Sequence, residues 1–256
     1  MNSKRLFIVG ALFFTLTGMN AKNKTQIIAH RGYWDTEGSA QNSIAALIKA
    51  DNIQVYGSEL DVWLSSDGVP MVNHDATTPE HKLVLEKTTA AQLKQEKLAN
   101  GENLPTLEEY LQKGKECKHS KLIIELKPHS SKEREDSLTV KVLAMVKKFK
   151  MENKVEYISF SLNAVKELIR LAPKAKVYYL SGSLSPKELK EIGCAGLDYN
   201  LGVMKKNENW FDEAKKYGLK VNVWTVNKKE DIQYLIDKGA DFITTNDPLL
   251  GLEMVK

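Results

Sequence analysis

The stretch Leu219-Lys220-Val221-Asn222-Val223-Trp224-Thr225-Val226 leads into a helical Glu230–Lys238, closed by Gly239, and then into Asp241–Thr245 before Pro248. A β-prone run, a helix stopped by glycine and a second β-prone run make one βαβ unit. The same rhythm continues toward the N-terminus. Ala195–Tyr199 precedes a helix around Trp210–Tyr217, and Lys176–Leu180 precedes Pro186–Ile192. Val155–Phe160 precedes a helix running through Leu171 and stopped near Pro173. Leu122–Leu126 precedes Asp136–Phe149, with apolar residues at Leu138, Val142, Met145 and Val146. Earlier still, the β-prone Gln26–His30 is followed by helical spacing over Gln41–Ala50. Glu59–Trp63 and Pro70–Asn73 are short strands joined by the turn Ser65-Ser66-Asp67-Gly68. The polar, lysine-rich Ala76–Gly101 reads as an excursion from the core, and Thr106 with Glu109 three residues on reads as a capping box. Regular alternation with no linker-like break predicts a parallel sheet in a single domain. Eight or nine strands over this length fit an α/β fold closed as a (β/α)8 barrel better than an open doubly wound sheet. No glycine-rich phosphate loop follows any strand, which weighs against a nucleotide-binding fold.

With 256 residues, 42% hydrophobic and 27% charged, the chain is long enough for one large α/β domain. Its formal charge of +4, less the two charges of Lys4 and Arg5 in a segment expected to be removed, is too mild to argue for nucleic acid. Met1–Arg5 is short and basic, Leu6–Gly18 is an apolar run, and Met19-Asn20-Ala21 is small and polar. This is the layout of a secretory signal peptide over residues 1–21, cleaved after Ala21. The apolar run falls short of the roughly 20 residues of a membrane span. The expectation is therefore an exported protein, periplasmic or secreted, with a mature domain over residues 22–256 and no stable membrane insertion. Cys117 and Cys194 are far apart and not spaced as metal ligands, so free, partly buried thiols are expected.

In such a barrel the reactive groups sit at the C-terminal ends of the strands. His30 ends the first strand, Glu59 and Asp61 the second, and His74 follows the next. Glu125 and Lys127 close Leu122–Leu126, and their i, i+2 spacing puts them on one face. Glu59, Asp61 and Glu125 offer oxygen ligands for one hard cation, Mg²⁺ or Ca²⁺. Their alternative reading is a metal-free ion-pair network with Lys127 and Arg31. Zinc is disfavoured because no cysteine or clustered histidine set is present. His30 and His74 can pass protons in both directions near neutral pH. His81, His119 and His129 lie in polar, lysine- or serine-rich segments and are given no role. Arg31, as a planar fork, and Lys127, as a point charge, suit a phosphate or balance the carboxylates. Trp224 shares a strand face with Asn222 and fills the barrel mouth or packs on a substrate. Acid, base and metal together point to metal-assisted cleavage of a phosphate ester.

Several motifs recur in a fixed order: His30-Arg31-Gly32, Glu59-Leu60-Asp61-Val62, Asp67-Gly68-Val69-Pro70-Met71-Val72-Asn73-His74-Asp75, and Leu104-Pro105-Thr106-Leu107-Glu108-Glu109. Ile124-Glu125-Leu126-Lys127, Ile158-Ser159-Phe160, Val223-Trp224-Thr225-Val226-Asn227 and Thr244-Thr245-Asn246-Asp247-Pro248 complete the set. In these the chain resembles the glycerophosphodiester phosphodiesterase family. The resemblance implies a TIM-type barrel with a small insertion after the second catalytic histidine, here about residues 76–101. It also implies one divalent cation on Glu59, Asp61 and Glu125, with His30 and His74 as the acid/base pair. The implied reaction is hydrolysis of small glycerophosphodiesters to sn-glycerol 3-phosphate and an alcohol. One departure stands out. Where the family usually reads Pro-Glu-Asn-Thr, this chain has Ala40-Gln41-Asn42-Ser43, so Gln41 is expected as a hydrogen-bonding group or weak oxygen ligand, and with Asn42 as a metal-shell or substrate contact. Two other functions fit the same residues: a phospholipase- or sphingomyelinase D-like enzyme acting on intact lipid, and a non-catalytic barrel that binds glycerophosphodiesters.

Overall fold

The computed structural model describes residues 24–256, so the leader expected over Met1–Ala21 lies outside the described residues. In chain order the elements are β1 (Gln26–Ala29), α1 (Ile44–Asn52), β2 (Gly57–Leu64), β3 (Pro70–Val72), α2 (Ala90–Leu93), α3 (Leu107–Gly114) and β4 (Lys121–Leu126). They continue as α4 (Lys132–Phe149), β5 (Val155–Ser159), α5 (Leu162–Leu171), β6 (Val177–Tyr179), α6 (Pro186–Ile192), β7 (Gly196–Asn200) and α7 (Leu201–Lys206). The last are α8 (Asn209–Tyr217), β8 (Lys220–Trp224), α9 (Lys229–Lys238), β9 (Phe242–Thr245) and α10 (Pro248–Met254). All strands but β3 run parallel in sequence order, and β1 pairs with both β2 and β9, closing the sheet into the expected barrel. Among the described residues no helix is long and apolar enough to cross a membrane.

Successive strand residues face opposite sides, and the barrel sorts them accordingly. Ile27, Leu60, Ile124, Tyr157, Val177, Leu197, Val221 and Ile243 join the large core shared with the helices. Ile28, Ile123, Ile158, Tyr178 and Phe242 fill the interior. Gly57 belongs to the crowded layer, since a Cβ there would stand 2.8 Å from the Ile123 side chain. Below that layer Glu156 plugs the N-terminal end. It accepts from Tyr56 Oη at 2.5 Å, Tyr178 Oη at 3.1 Å and Lys121 Nζ at 2.7 Å.

β2 is longer than its expected Glu59–Trp63. Its pairing with β4 covers Gly57–Val62, and its last residues, Val62–Leu64, form a hairpin with β3. Glu59 and Asp61 therefore lie mid-strand, although Asp61, in register with Glu125, still marks the barrel rim. Ser43, Thr106, Ser131, Ser161 and Ser185 each cap a helix by accepting from the N–H three residues on. Two of these caps move expected boundaries: α1 starts at Ile44 because Ser43 caps it, and α4 starts at Lys132 because Ser131 does. α7 and α10 were not anticipated. Pro248 opens α10 at its first turn, where a missing N–H costs nothing, and Asp247 caps it through Leu250 N.

The segment over residues 76–101 needs a correction. Its surface is polar, but Leu85, Ala90, Leu93 and Leu98 pack with Trp63, Met71 and Leu104 into a second small core. A single 3₁₀ turn at Leu85–Lys87 and the one-turn α2 carry Leu85, Ala90 and Leu93, too short to display a helical period. Cys117 and Cys194 are free and buried.

Candidate active site

Three carboxylates meet at the C-terminal rim. Ligand oxygens of Glu59, Asp61 and Glu125 all lie within 4.8 Å of one another, and all three residues are buried. Their frame comes from the loop after β1. Arg31 adopts φ +56°, which turns its backbone N–H onto Glu59 Oε2 at 2.7 Å. Gly32 follows at φ +78° with Ala46 close against it. Asn42, also left-handed at φ +61°, grips Asp61 twice. Its Nδ2 donates to Oδ2 at 2.9 Å, and its Oδ1 accepts from the Asp61 backbone N–H at 3.2 Å. Lys127 Nζ sits 3.1 Å from Asp61 Oδ1 and 2.8 Å from Glu125 Oε1.

Burial, and then the charges of Asp61 and Glu125, push Glu59 well above the ordinary carboxylate range. Burial and Asp61 push Glu125 up to about 8. Burial works on Asp61 too, but Lys127, His74 and the Asn42 amide outweigh it and hold that carboxyl low. Glu59 Oε1 is buried without a hydrogen-bond partner. An all-oxygen set with buried oxygens of Glu59 and Glu125 lacking a hydrogen-bond partner, and with crowded like charges, fits a hard divalent cation, whose charge would replace the protons.

The histidines flank this cluster. His30 Nδ1 pairs with Asn246 Oδ1 at 2.7 Å, leaving Nε2 for the cavity. Burial first and Arg31 second pull its pKa down to about 4, so the ring is neutral at pH 7. His74 Nδ1 pairs with Asp75 Oδ1 at 2.7 Å, and Trp63 Nε1 holds the His74 carbonyl at 3.2 Å. His30, Arg31, Glu59, His74, Glu125, Lys127 and Trp224 line one cavity of about 130 Å³. Trp224 meets Phe160 edge to face at 5.5 Å, so it both packs and lines the cavity. A wider groove of about 680 Å³, lined by Trp34, Asp35, Gln41, Asp75 and Lys82 among others, shares His74 with it.

The sequence model of the glycerophosphoryl diester phosphodiesterase family matches residues 30–250, from the first site histidine to past the last strand. The chain belongs to this family. A glycerophosphodiester phosphodiesterase of Caldanaerobacter subterraneus subsp. tengcongensis is 31% identical over 248 residues, 91% of this chain and 98% of its own. The crystal structure of a glycerophosphodiester phosphodiesterase from Parabacteroides distasonis superposes with TM-score 0.89 at 46% identity, covering 91% of this chain and 98% of that one. A phosphodiesterase from Oleispira antarctica, solved with the product sn-glycerol-3-phosphate, gives TM-score 0.76 at 26% identity, with 91% and 97% covered. This glycerophosphodiester phosphodiesterase thus keeps the family's barrel from end to end.

The departure from the family pattern has a definite place. Gln41 is exposed, takes Arg31 Nη1 at 2.6 Å and lines the outer groove. Reasoning from residue types missed three supports. Asn246 orients His30. Asn227 accepts from Thr245 Oγ1 and Asn246 N, fixing that loop. His129, given no role, lies half-buried against Trp63, with Nδ1 toward the Lys127 carbonyl and Nε2 accepting from Leu64 N. Its polar neighbours in sequence hid it. Two of the three belong to motifs already quoted, Val223–Asn227 and Thr244–Pro248, which were the available signal.

Proposed function

We propose that this family member hydrolyses small glycerophosphodiesters to sn-glycerol 3-phosphate and an alcohol, with His30 and His74 as the acid/base pair. The carrying observation is that His74 lines both the inner cavity and the outer groove, whereas His30 lines the inner one alone. The inner cavity has room for about four waters at roughly 30 Å³ each, which suits a glyceryl group and excludes an acyl chain. The groove sets Asp35, Glu37, Asp75 and Lys82 among Trp34, Pro79 and Leu98, which gives a soluble alcohol charged partners on its walls. The Oleispira relative, solved with sn-glycerol-3-phosphate, supports the same product.

A divalent cation, Mg²⁺ or Ca²⁺, held by Glu59, Asp61 and Glu125 supplies Lewis-acid polarisation of the phosphoryl group when bound. His30, neutral and with Nε2 free, takes the proton of the glycerol 2-hydroxyl as that oxygen attacks phosphorus. The bond from phosphorus to the leaving alcohol breaks, and His74 gives that oxygen its proton on the groove side. Arg31 and Lys127 offset the charge that builds on phosphorus. Water then opens the cyclic phosphate with the proton traffic reversed: His74 takes the water proton and His30 returns one to the 2-oxygen.

Turnover of glycerophosphocholine, with each metal added back to chelated protein, tests this reading. His30→Ala and His74→Ala are each expected to lower kcat by at least about a hundredfold while cation binding persists in calorimetry. Near-wild-type turnover in either variant, or equal cleavage of intact phospholipid, would overturn it. Export is likewise proposed, on the strength of the Met1–Ala21 pattern. An N-terminus at Lys22 in the extracytoplasmic fraction is the expected result.

A further inference from the structure

Asp198 is a buried acid that the chemistry above does not use. It lies on β7 in register with Asn222 of β8 and is 2% exposed. Its carboxylate borders the inner cavity, yet its Oδ1 has no hydrogen-bond partner. The Asn222 amide bonds to Thr244 Oγ1 at 2.9 Å, and Trp224 Nε1 donates 2.9 Å to the Asp198 backbone carbonyl, fixing the ring above β7. The rest of that wall is Ile158, Phe160 and Leu180. An apolar side chain would suit such a place, because an unpartnered buried polar oxygen carries a desolvation cost. A buried acid kept in the cavity wall without a hydrogen-bond partner for Oδ1 reads as a binding group for the cavity's occupant.

We propose that Asp198 recognises the glyceryl half of the substrate by accepting a hydrogen bond from its terminal hydroxyl at the carboxylate that borders the cavity. The proposal rests on the hydrolase reading. With the phosphate among Arg31, Lys127 and the carboxylates, and the 2-hydroxyl at His30, the terminal hydroxyl is the one polar group of the glyceryl half left to place. The apolar wall takes its methylenes. Burial pushes the Asp198 carboxyl up to about 7. A hydroxyl suits both forms, since it donates to a carboxylate and accepts from a carboxylic acid. Asp198 is a specificity-determining residue in this arrangement and moves no proton of the reaction. It separates glycerophosphodiesters from esters of alcohols that keep the attacking hydroxyl but lack the third.

The experiment compares glycerophosphocholine with 2-hydroxypropyl phosphocholine, which retains the 2-hydroxyl and lacks the terminal one, on metal-loaded full-length enzyme. Wild type is expected to favour glycerophosphocholine by at least about tenfold in kcat/KM. Asp198→Leu brings that ratio near one, through a raised KM for glycerophosphocholine. Asp198→Asn, which keeps a hydrogen-bonding group and nearly the same volume, retains part of the preference. A wild-type ratio near one overturns the role of Asp198 and leaves the hydrolase reading standing. A ratio unchanged in Asp198→Leu, or both substrates falling together in both variants, overturns it too. No turnover of either ester by wild type means the hydrolase reading itself has failed.

Discussion

Arg31 sits in the left-handed region at φ +56°, where few residues other than glycine are found. That conformation gives Glu59 its backbone donor and brings the guanidinium to Gln41 and within 3.9 Å of Asp61. After burial, its charge is the next largest influence holding the His30 pKa down. A base must be deprotonated to act, so a low His30 pKa keeps it working well below pH 6.5. Arg31→Gln is expected to raise that pKa and move the acid limb of the kcat/KM profile upward, whatever it does to the plateau. An unmoved limb would show that His30 is not the titrating base. Gln41 leads to a different expectation. Its side chain is exposed and turned to Arg31, so Gln41→Glu adds a solvent-screened ion pair worth at most about 1 kcal/mol. Cation affinity by calorimetry should change by less than about fivefold. A larger gain would mean that this position reaches the metal.

The loop joining β1 to α1 shows how an element positions a site. Gly32 holds φ +78°, and a Cβ there would come 2.6 Å from the Ala46 Cβ and 2.9 Å from the Ala46 carbonyl carbon. Gly32→Ala should cost roughly 2–4 kcal/mol in denaturant unfolding, from backbone strain plus overpacking. Gly101, at φ +84° with nothing within 4 Å of an added Cβ, isolates the strain alone. Gly101→Ala should cost about 1 kcal/mol, and equal losses at the two sites would refute the crowding argument. Strand alternation made the barrel and the shared faces of Glu59 with Asp61 and Glu125 with Lys127 legible before any coordinates. The second core under residues 76–101 was not legible, because isolated leucines on a 3₁₀ turn and a single α turn display no period. α10 was not legible for a related reason: proline ends one helix and opens another equally well, and only the Asp247 cap decides which.

At the scale of the molecule the barrel concentrates acids that its metal-free form must neutralise with protons. Glu125 is raised to about 8, Asp198 to about 7, and Glu59 well above its ordinary value. A raised folded-state pKa contributes stability at low pH that is lost as pH climbs through it. Below pH 6.5 the lowered histidines work in the opposite sense, so the clean window lies above that. Metal-free protein should therefore lose Tm between about pH 6.5 and 8.5. Saturating cation should restore more at pH 8.5 than at pH 6.5, because it displaces fewer protons there. A Tm flat across that window, with equal metal gains at both ends, would count against the buried triad as a cation site. The sequence by itself determined the βα rhythm, the strand faces, the helix caps and the residue types at the rim, because all of these are set by neighbours a few positions apart. Tertiary structure alone decided that Asn246 orients His30, that Asn42 clamps Asp61, that Gln41 pairs with Arg31, and that Asp198 lines the same cavity as Glu59. Closure and register fix the distances between strand ends in a barrel, and separation along the chain carries no record of them.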